Sequence, residues 1–175
     1  MRGGGPRPPA RTTQAHGNDT TEETDMSTEA HVVAPARPGW KHRAVGIVAL
    51  LWNAMGAFDY LMTQTRNEAY MAKFTPEQLD YFYGFPAWMV AAWATAVWGG
   101  MLGAVLLLMR RRMAEPVFLV SLLAVVLTTI YSYGLAEGAA AFEGAVAHVL
   151  SAAIVVVALA LYLHSRTLRS RGVLT

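Results

Sequence analysis

The sequence contains no cysteine, which excludes a disulfide scaffold, a thiolate metal site and a cysteine nucleophile. Charge is also scarce: Asp, Glu, Lys and Arg make up 15% of the residues against 54% hydrophobic. That balance is too apolar for an ordinary soluble domain of 175 residues. The formal charge of +2 does not point to nucleic acid, because the basic residues form short clusters at the ends of apolar segments instead of one stripe. A glycine-rich phosphate loop, a nucleophile motif, paired haem-type histidines and metal-ligand spacings are all missing. The chain therefore reads as a non-enzyme, with no catalytic residue, metal or cofactor expected.

What the sequence does have is four apolar runs, at about 44–64, 87–109, 116–136 and 144–164, each near the roughly 20 residues needed to cross a hydrocarbon core. Without water to satisfy backbone groups, such runs must be helices, and short connections make neighbours antiparallel. The expected fold is an all-α membrane protein: a four-transmembrane antiparallel helix bundle, over residues 41–165, with a short amphipathic helix in the outer loop. Residues 1–40 are rich in Gly, Pro, Thr and acidic groups with no hydrophobic period and are expected to be a disordered tail. Met26 offers a second start, which would make 1–25 a mis-called leader. Residues 166–175 read as a basic tail.

Orientation follows from the cations. Arg37, Lys41 and Arg43 precede the first span, Arg110, Arg111 and Arg112 join the second to the third, and Arg166, Arg169 and Arg171 follow the fourth. The opposite side has Arg66 and Lys73 among Glu68, Glu77, Asp80, Glu137 and Glu143. By the positive-inside rule both termini are cytoplasmic, in a bacterial inner membrane, and the Arg triplet is a topology anchor.

Within the outer loop, Thr75-Pro76-Glu77-Gln78 combines a capping hydroxyl, proline at the first helical position and Gln three residues after Thr, predicting a helix that starts at Pro76. Leu79, Phe82 and Tyr83 share its apolar face and Gly84 ends it before Pro86 opens the next span. Tyr70, Tyr81, Tyr83 and Trp88 are expected at headgroup depth as an aromatic belt. In the second span, Ala91-Thr95-Gly99-Gly103 and Ala92-Ala96-Gly100-Ala104 form adjacent small-residue ridges. These let a neighbouring backbone come close, in the same chain or in a second copy, so Ala92, Ala96, Gly99, Gly100 and Gly103 are expected packing residues.

Asp59 is the carboxylate that the bilayer must accommodate. At 100° per residue, Asn53, Gly56, Asp59, Tyr60, Thr63, Gln64 and Arg66 fall within an arc of roughly 160°, which must face protein or water, since a charged carboxylate at a helix centre costs about 2.5–3.5 kcal/mol. Depth counted along the helices places Asp59, Tyr131 and His148 near one level. The expectation is an outward-opening polar pocket floored by Asn53 and Ser151 and lined by Asp59, Tyr60, Gln64, Tyr131 and His148. Such a pocket suits a small solute or a proton; the alternative is that Asp59 only fixes helix register through Tyr131 or His148, or is wetted from outside.

The run Leu51-Trp52-Asn53-Ala54-Met55-Gly56-Ala57-Phe58-Asp59-Tyr60-Leu61-Met62-Thr63, then Asn67-Glu68-Ala69-Tyr70, Phe85-Pro86-Ala87-Trp88, Ala96-Val97-Trp98-Gly99-Gly100-Met101-Leu102-Gly103 and Arg171-Gly172-Val173-Leu174 resembles an uncharacterised family of small four-helix bacterial inner-membrane proteins, some of which carry the label "sugar transporter". The resemblance covers about residues 40–175. It implies a multi-pass inner-membrane protein in contact with the lipid bilayer. Passage of an unidentified small-molecule ligand through the Asp59 pocket would, with four spans in one copy, imply a homodimer. The competing reading is an accessory or sensor protein that holds a partner through its outer loop and Gly-rich second helix.

Overall fold

The computed structural model describes residues 40–135 and 145–175, with the isolated positions Met1, Gly3 and Gly5. The helices lie in the compact unit Val33–Thr175. The expectations for the 1–40 tail, the Met26 start, Arg37, Glu137 and Glu143 lie outside the described residues, as does the side chain of Lys41.

In chain order the elements are α1 (Trp40–Gln64), α2 (Glu68–Met71), α3 (Pro76–Tyr83), α4 (Ala87–Leu108), α5 (Ala114–Ile130) and α6 (Ala145–Ser170), with a π-helical turn, Tyr131–Leu135, extending α5. There is no strand among the described residues. Helices α1, α4, α5 with its π turn, and α6 are each long and apolar enough to cross a membrane, so the protein is a multi-span membrane protein with an all-α fold. Helix α1 begins four residues before the expected span, and α6 continues through Ser165-Arg166-Thr167-Leu168-Arg169-Ser170. Hydropathy marks where lipid ends, and a helix can continue into water beyond it.

The spans pack chiefly in sequence, α1 on α4, α4 on α5 and α5 on α6. The small residues of α4 explain its central place. Toward α1, a Cβ at Gly100 would run into the Asn53 amide oxygen, and one at Gly46 of α1 into Leu108. Toward α5, a Cβ at Gly103 would lie 2.8 Å from the Phe118 ring, and one at Gly99 3.2 Å from Ser121 Cβ. Close approach lets Ser121 Oγ donate 2.6 Å to the Ala96 carbonyl on the facing helix. Ala96, Gly100, Gly103 and Ala104 are buried and Ala92 half-buried, whereas Ala91 and Thr95 at the head of the other ridge are exposed.

Three of the long helices stop in the same way. After α1, Asn67 N–H reaches the Met62 carbonyl at 3.0 Å and Arg66 N–H the Thr63 carbonyl at 3.1 Å, with Arg66 at φ +50°. Arg111 to Leu106 (2.8 Å) and Arg110 to Leu107 (3.0 Å), with Arg110 at φ +59°, repeat the pattern after α4. Val173 to Leu168 and Gly172 to Arg169, both 3.0 Å, with Gly172 at φ +68°, repeat it after α6. Each is a Schellman motif, whose left-handed residue is usually glycine because a Cβ is strained there. Arg110 thus does backbone work that its membership of an Arg triplet conceals. The turn at Gly172 also sends the chain back under the bundle. Thr175 N–H bonds the Arg110 carbonyl at 2.8 Å, Arg112 N–H bonds the Thr175 carbonyl at 3.2 Å, and Leu174, 2% exposed, joins Ala49, Leu107, Phe118 and Leu161 in one apolar cluster.

Of these three left-handed positions, Arg110 and Gly172 predict opposite outcomes for reciprocal changes. Arg110→Gly is expected to stabilise the protein, and Gly172→Ala to destabilise it, each by about 1 kcal/mol. Thermal melting of the detergent-solubilised protein measures both.

Candidate functional site

A cavity of about 350 Å³ lies inside the bundle and is lined by all four spans and by the loop between α1 and α4. From α1 come Trp52, Asn53, Gly56 and Asp59; from α4, Met89, Trp93, Ala96, Val97 and Gly100. From α5 and its π turn come Phe118, Ser121, Val125, Thr128, Thr129, Ser132 and Tyr133, and α6 gives an aliphatic strip from Ala147 to Leu161 interrupted by Ser151. Tyr81, Phe82 and Phe85 border it at the loop end. At the other end Phe118 and Leu161 belong both to the lining and to the cluster that Leu174 completes. Ala96 and Gly100 of α4 line this volume and let the neighbouring helices come close, the Asn53 amide taking the place that a Gly100 side chain would fill.

The loop is ordered from its own sequence. Asn67 caps α2, its Oδ1 accepting Tyr70 N–H at 3.0 Å. Thr75 and Gln78 form the expected reciprocal capping box on α3, and Glu77 in that first turn is held below the usual carboxylate range by its own backbone N–H and then by the Thr75 hydroxyl. Gly84 and Pro86 end α3 and cap α4. Helix α3 does more than lie on the membrane surface, because Phe82 turns toward the bundle. Its ring stacks at 15° to Trp93, 6.2 Å between centroids, and meets Phe74 and Phe85 edge-on. Tyr83, on the other side, is 38% exposed and carries the Arg66 guanidinium 4.4 Å above its ring. Burial raises the Tyr81 hydroxyl above its ordinary pKa, against a hydrogen bond shared with Ser132.

Asp59 finds its partner in this loop. Tyr70 Oη donates to Asp59 Oδ1 at 2.6 Å, and the Tyr70 ring is braced edge-on by Phe58 at 5.7 Å. The expected pairing of Asp59 with Tyr131 or His148 is replaced by this bond. Depth counted along straight helices cannot anticipate it, because the turn at Arg66 and the cap at Asn67 fold the chain back and return Tyr70 to the level of Asp59. Asn53, Asp59 and Ser151 are among the residues that line the cavity, and Tyr60, Gln64, Tyr131 and His148 are not. Tyr60 packs edge-on against Trp93 at 5.1 Å, and Gln64 is exposed at the last position of α1. Tyr131 is wedged between Phe85 and Trp88, and His148 lies against Tyr133 at 5.6 Å.

From sequence, Tyr70 reads as a belt residue and Trp93 as a packing residue, while Tyr133 stands with Thr129 and Ser132 beside a hydroxyl stripe of Ser121, Thr128 and Tyr131 that taken alone means little. A signal for Tyr70 is present in Asn67-Glu68, a cap followed by an acidic first-turn residue. The signal for Tyr133 is Thr128-Thr129. Both hydroxyls bond back to the Val125 carbonyl, at 2.9 and 2.8 Å, a competition with the helix ladder that precedes the π turn. Among the cations named as anchors, Arg169 Nη1 pairs with Glu115 at 2.9 Å and ties α6 to α5; Arg43, Arg111, Arg112 and Arg166 are exposed. Among the described residues no three His, Asp or Glu side chains come together as a metal site would require. The chain matches no protein-family model, no curated protein and no solved structure.

The Tyr70–Asp59 bond has a pH signature. The bond is the first cause, with burial second, of a Tyr70 pKa raised from 10.0 to about 12. A raised acid pKa means that this stabilisation is complete below pH 10 and is lost as pH rises toward 12. Ultraviolet phenolate titration is expected to show a late-titrating tyrosine that disappears in Tyr70→Phe and moves back toward 10 in Asp59→Asn.

Proposed function

We propose that the protein binds a small, predominantly apolar solute between its four spans, and that this binding underlies a transport or sensing role in a bacterial inner membrane. The observation that carries the reading is the cavity itself. Its volume of about 350 Å³ falls within the roughly 300–1,000 Å³ of ligand pockets, and its walls are mostly aliphatic and aromatic with a few polar groups. A sugar would bring more hydroxyls than the polar minority of this lining can satisfy, which is costly in a low-dielectric site, so an apolar or amphipathic solute fits better than a sugar.

The reading needs no second copy, because one chain supplies every wall. It also disfavours the small residues of α4 as a partner-binding surface, since Gly100 and Gly103 are already used against Asn53 and Phe118. The Lys and Arg distribution supports cytoplasmic termini, so that α2 and α3 form a periplasmic cover over the pocket. The cavity suits a binding role without catalysis, cofactor or metal.

Ala158 of α6 lines the cavity and is half-buried against the cluster of Ala96, Ala124 and Val125, so a larger side chain there takes up cavity space. In phospholipid nanodiscs, a neutral fluorescent probe such as N-phenyl-1-naphthylamine is expected to bind saturably and to quench tryptophan emission, since Trp52 and Trp93 line the site. Ala158→Phe should weaken this roughly tenfold or more, about 1.4 kcal/mol, at unchanged helicity. Non-saturable partitioning, the same in empty nanodiscs, would remove the proposal.

A further inference from the structure

Several polar groups of the cavity wall spend their protons on the protein. Ser121 Oγ donates to the Ala96 carbonyl, Thr128 and Thr129 donate to the Val125 carbonyl, and Tyr133 Oη donates to Ser151 Oγ at 2.7 Å. One amide N–H of Asn53 is likewise spent on the Ala49 carbonyl at 2.8 Å. Each of these groups uses its proton on the protein and keeps oxygen lone pairs at the wall. Oxygen lone pairs are thus plentiful in the polar part of the lining, beside donors such as the second Asn53 N–H, the Ser151 hydroxyl and the indole N–H groups of Trp52 and Trp93.

Asp59 adds a carboxylate to these oxygens. Its carboxylate borders the cavity and accepts the Tyr70 hydroxyl, but the ion pair found among the described residues joins Arg169 to Glu115 instead. A carboxylate within a span is stabilised by a partner of opposite charge. Phe82, Phe85 and Trp93 line the same cavity, and the negative faces of aromatic rings attract cations, with Trp the strongest. Arg66 and Lys73, the cations of the loop, lie over Tyr83 and Tyr70 (4.4 and 4.9 Å).

From this we infer that the cavity is a site for lipophilic organic cations: molecules with an apolar body and an ammonium or similar group, the cationic head near Asp59 between the aromatic rings and the apolar body along the strip from Ile154 to Leu161. The inference rests on the cavity-binding reading and adds the charge of the solute to it. Tyr70 is then a positioning residue. By occupying Oδ1 it holds the carboxylate in one orientation and leaves Oδ2 for the ligand head.

A matched pair of probes separates the two claims. One is a naphthylethyl-trimethylammonium ion, and the other is its neutral isostere with a tert-butyl group in place of the trimethylammonium. Both are titrated against protein in zwitterionic phosphatidylcholine nanodiscs by tryptophan quenching, with empty nanodiscs and Ala158→Phe as controls for partitioning. The cation is expected to bind the full-length protein roughly tenfold tighter than its isostere. Asp59→Asn, which keeps an oxygen acceptor for Tyr70, is expected to bring the two affinities together, and Tyr70→Phe to narrow the gap. Equal affinities in the wild type, both sensitive to Ala158→Phe, would overturn the charge preference while the cavity reading stands. Binding of neither probe above the controls would overturn both.

Discussion

The bundle depends on how closely backbones approach along α4. In hydrocarbon, apolar side chains gain nothing by leaving the solvent, so association rests on contact and on hydrogen bonds between helices. Helix α4 meets that constraint on two sides at once. Gly100 admits the Asn53 amide from α1, and Gly99 and Gly103 admit Ser121 and Phe118 from α5, close enough for a hydroxyl to reach a carbonyl across the interface. Gly100 of the same helix, with Ala96, also lines the cavity, so the helix that packs most closely is one of its walls.

The second dependency runs through the loop. A carboxylate on α1 and a tyrosine eleven residues later are brought to 2.6 Å by two local devices, the left-handed turn at Arg66 and the Asn67 cap. From Tyr70 a series of ring contacts passes through Phe74 and Phe82 to Trp93 on α4, and from Phe85 to Tyr131 on α5. The cover over the pocket is therefore bound to α1, to α4 and to the π turn after α5 by edge-on, tilted and stacked aromatic contacts, whose individual contributions are modest, about 0.5–1.5 kcal/mol each. Order at the Asp59 carboxylate comes from outside its own helix.

Features carried by one stretch of sequence are legible in the order of the residues alone. The four spans follow from length and hydropathy, the α3 start from Thr75, Pro76 and Gln78, and the central place of α4 from its small-residue spacing. Features that depend on where the chain returns are not legible in that way. Counting rise per residue matches Tyr131 and His148 to Asp59, but such counting treats the loop as a passive connection, and the partner comes from the loop. The helical wheel places Tyr60 and Gln64 with Asp59 on one side of α1, correctly as angles, yet that side is wide enough to face both the cavity and the Trp93 ring. Arg110 looks like one of three anchors because a triplet of equal residues hides which of them takes the left-handed conformation.

Helix α6 gives the bundle a mechanical asymmetry. Six residues of α4 are buried, Met89, Ala96, Gly100, Gly103, Ala104 and Leu107, against two of α6, Leu161 and Ser165. Helix α6 is fastened near its ends, by Tyr133 to Ser151 and by Glu115 to Arg169, with an aliphatic span between them. Little packing is given up when such a helix bows or swings, whereas displacing α4 breaks interfaces on both sides. In terms of compliance, α4 is the stiff post of the fold and α6 its soft wall, so thermal breathing of the cavity volume is concentrated on the side that α6 closes.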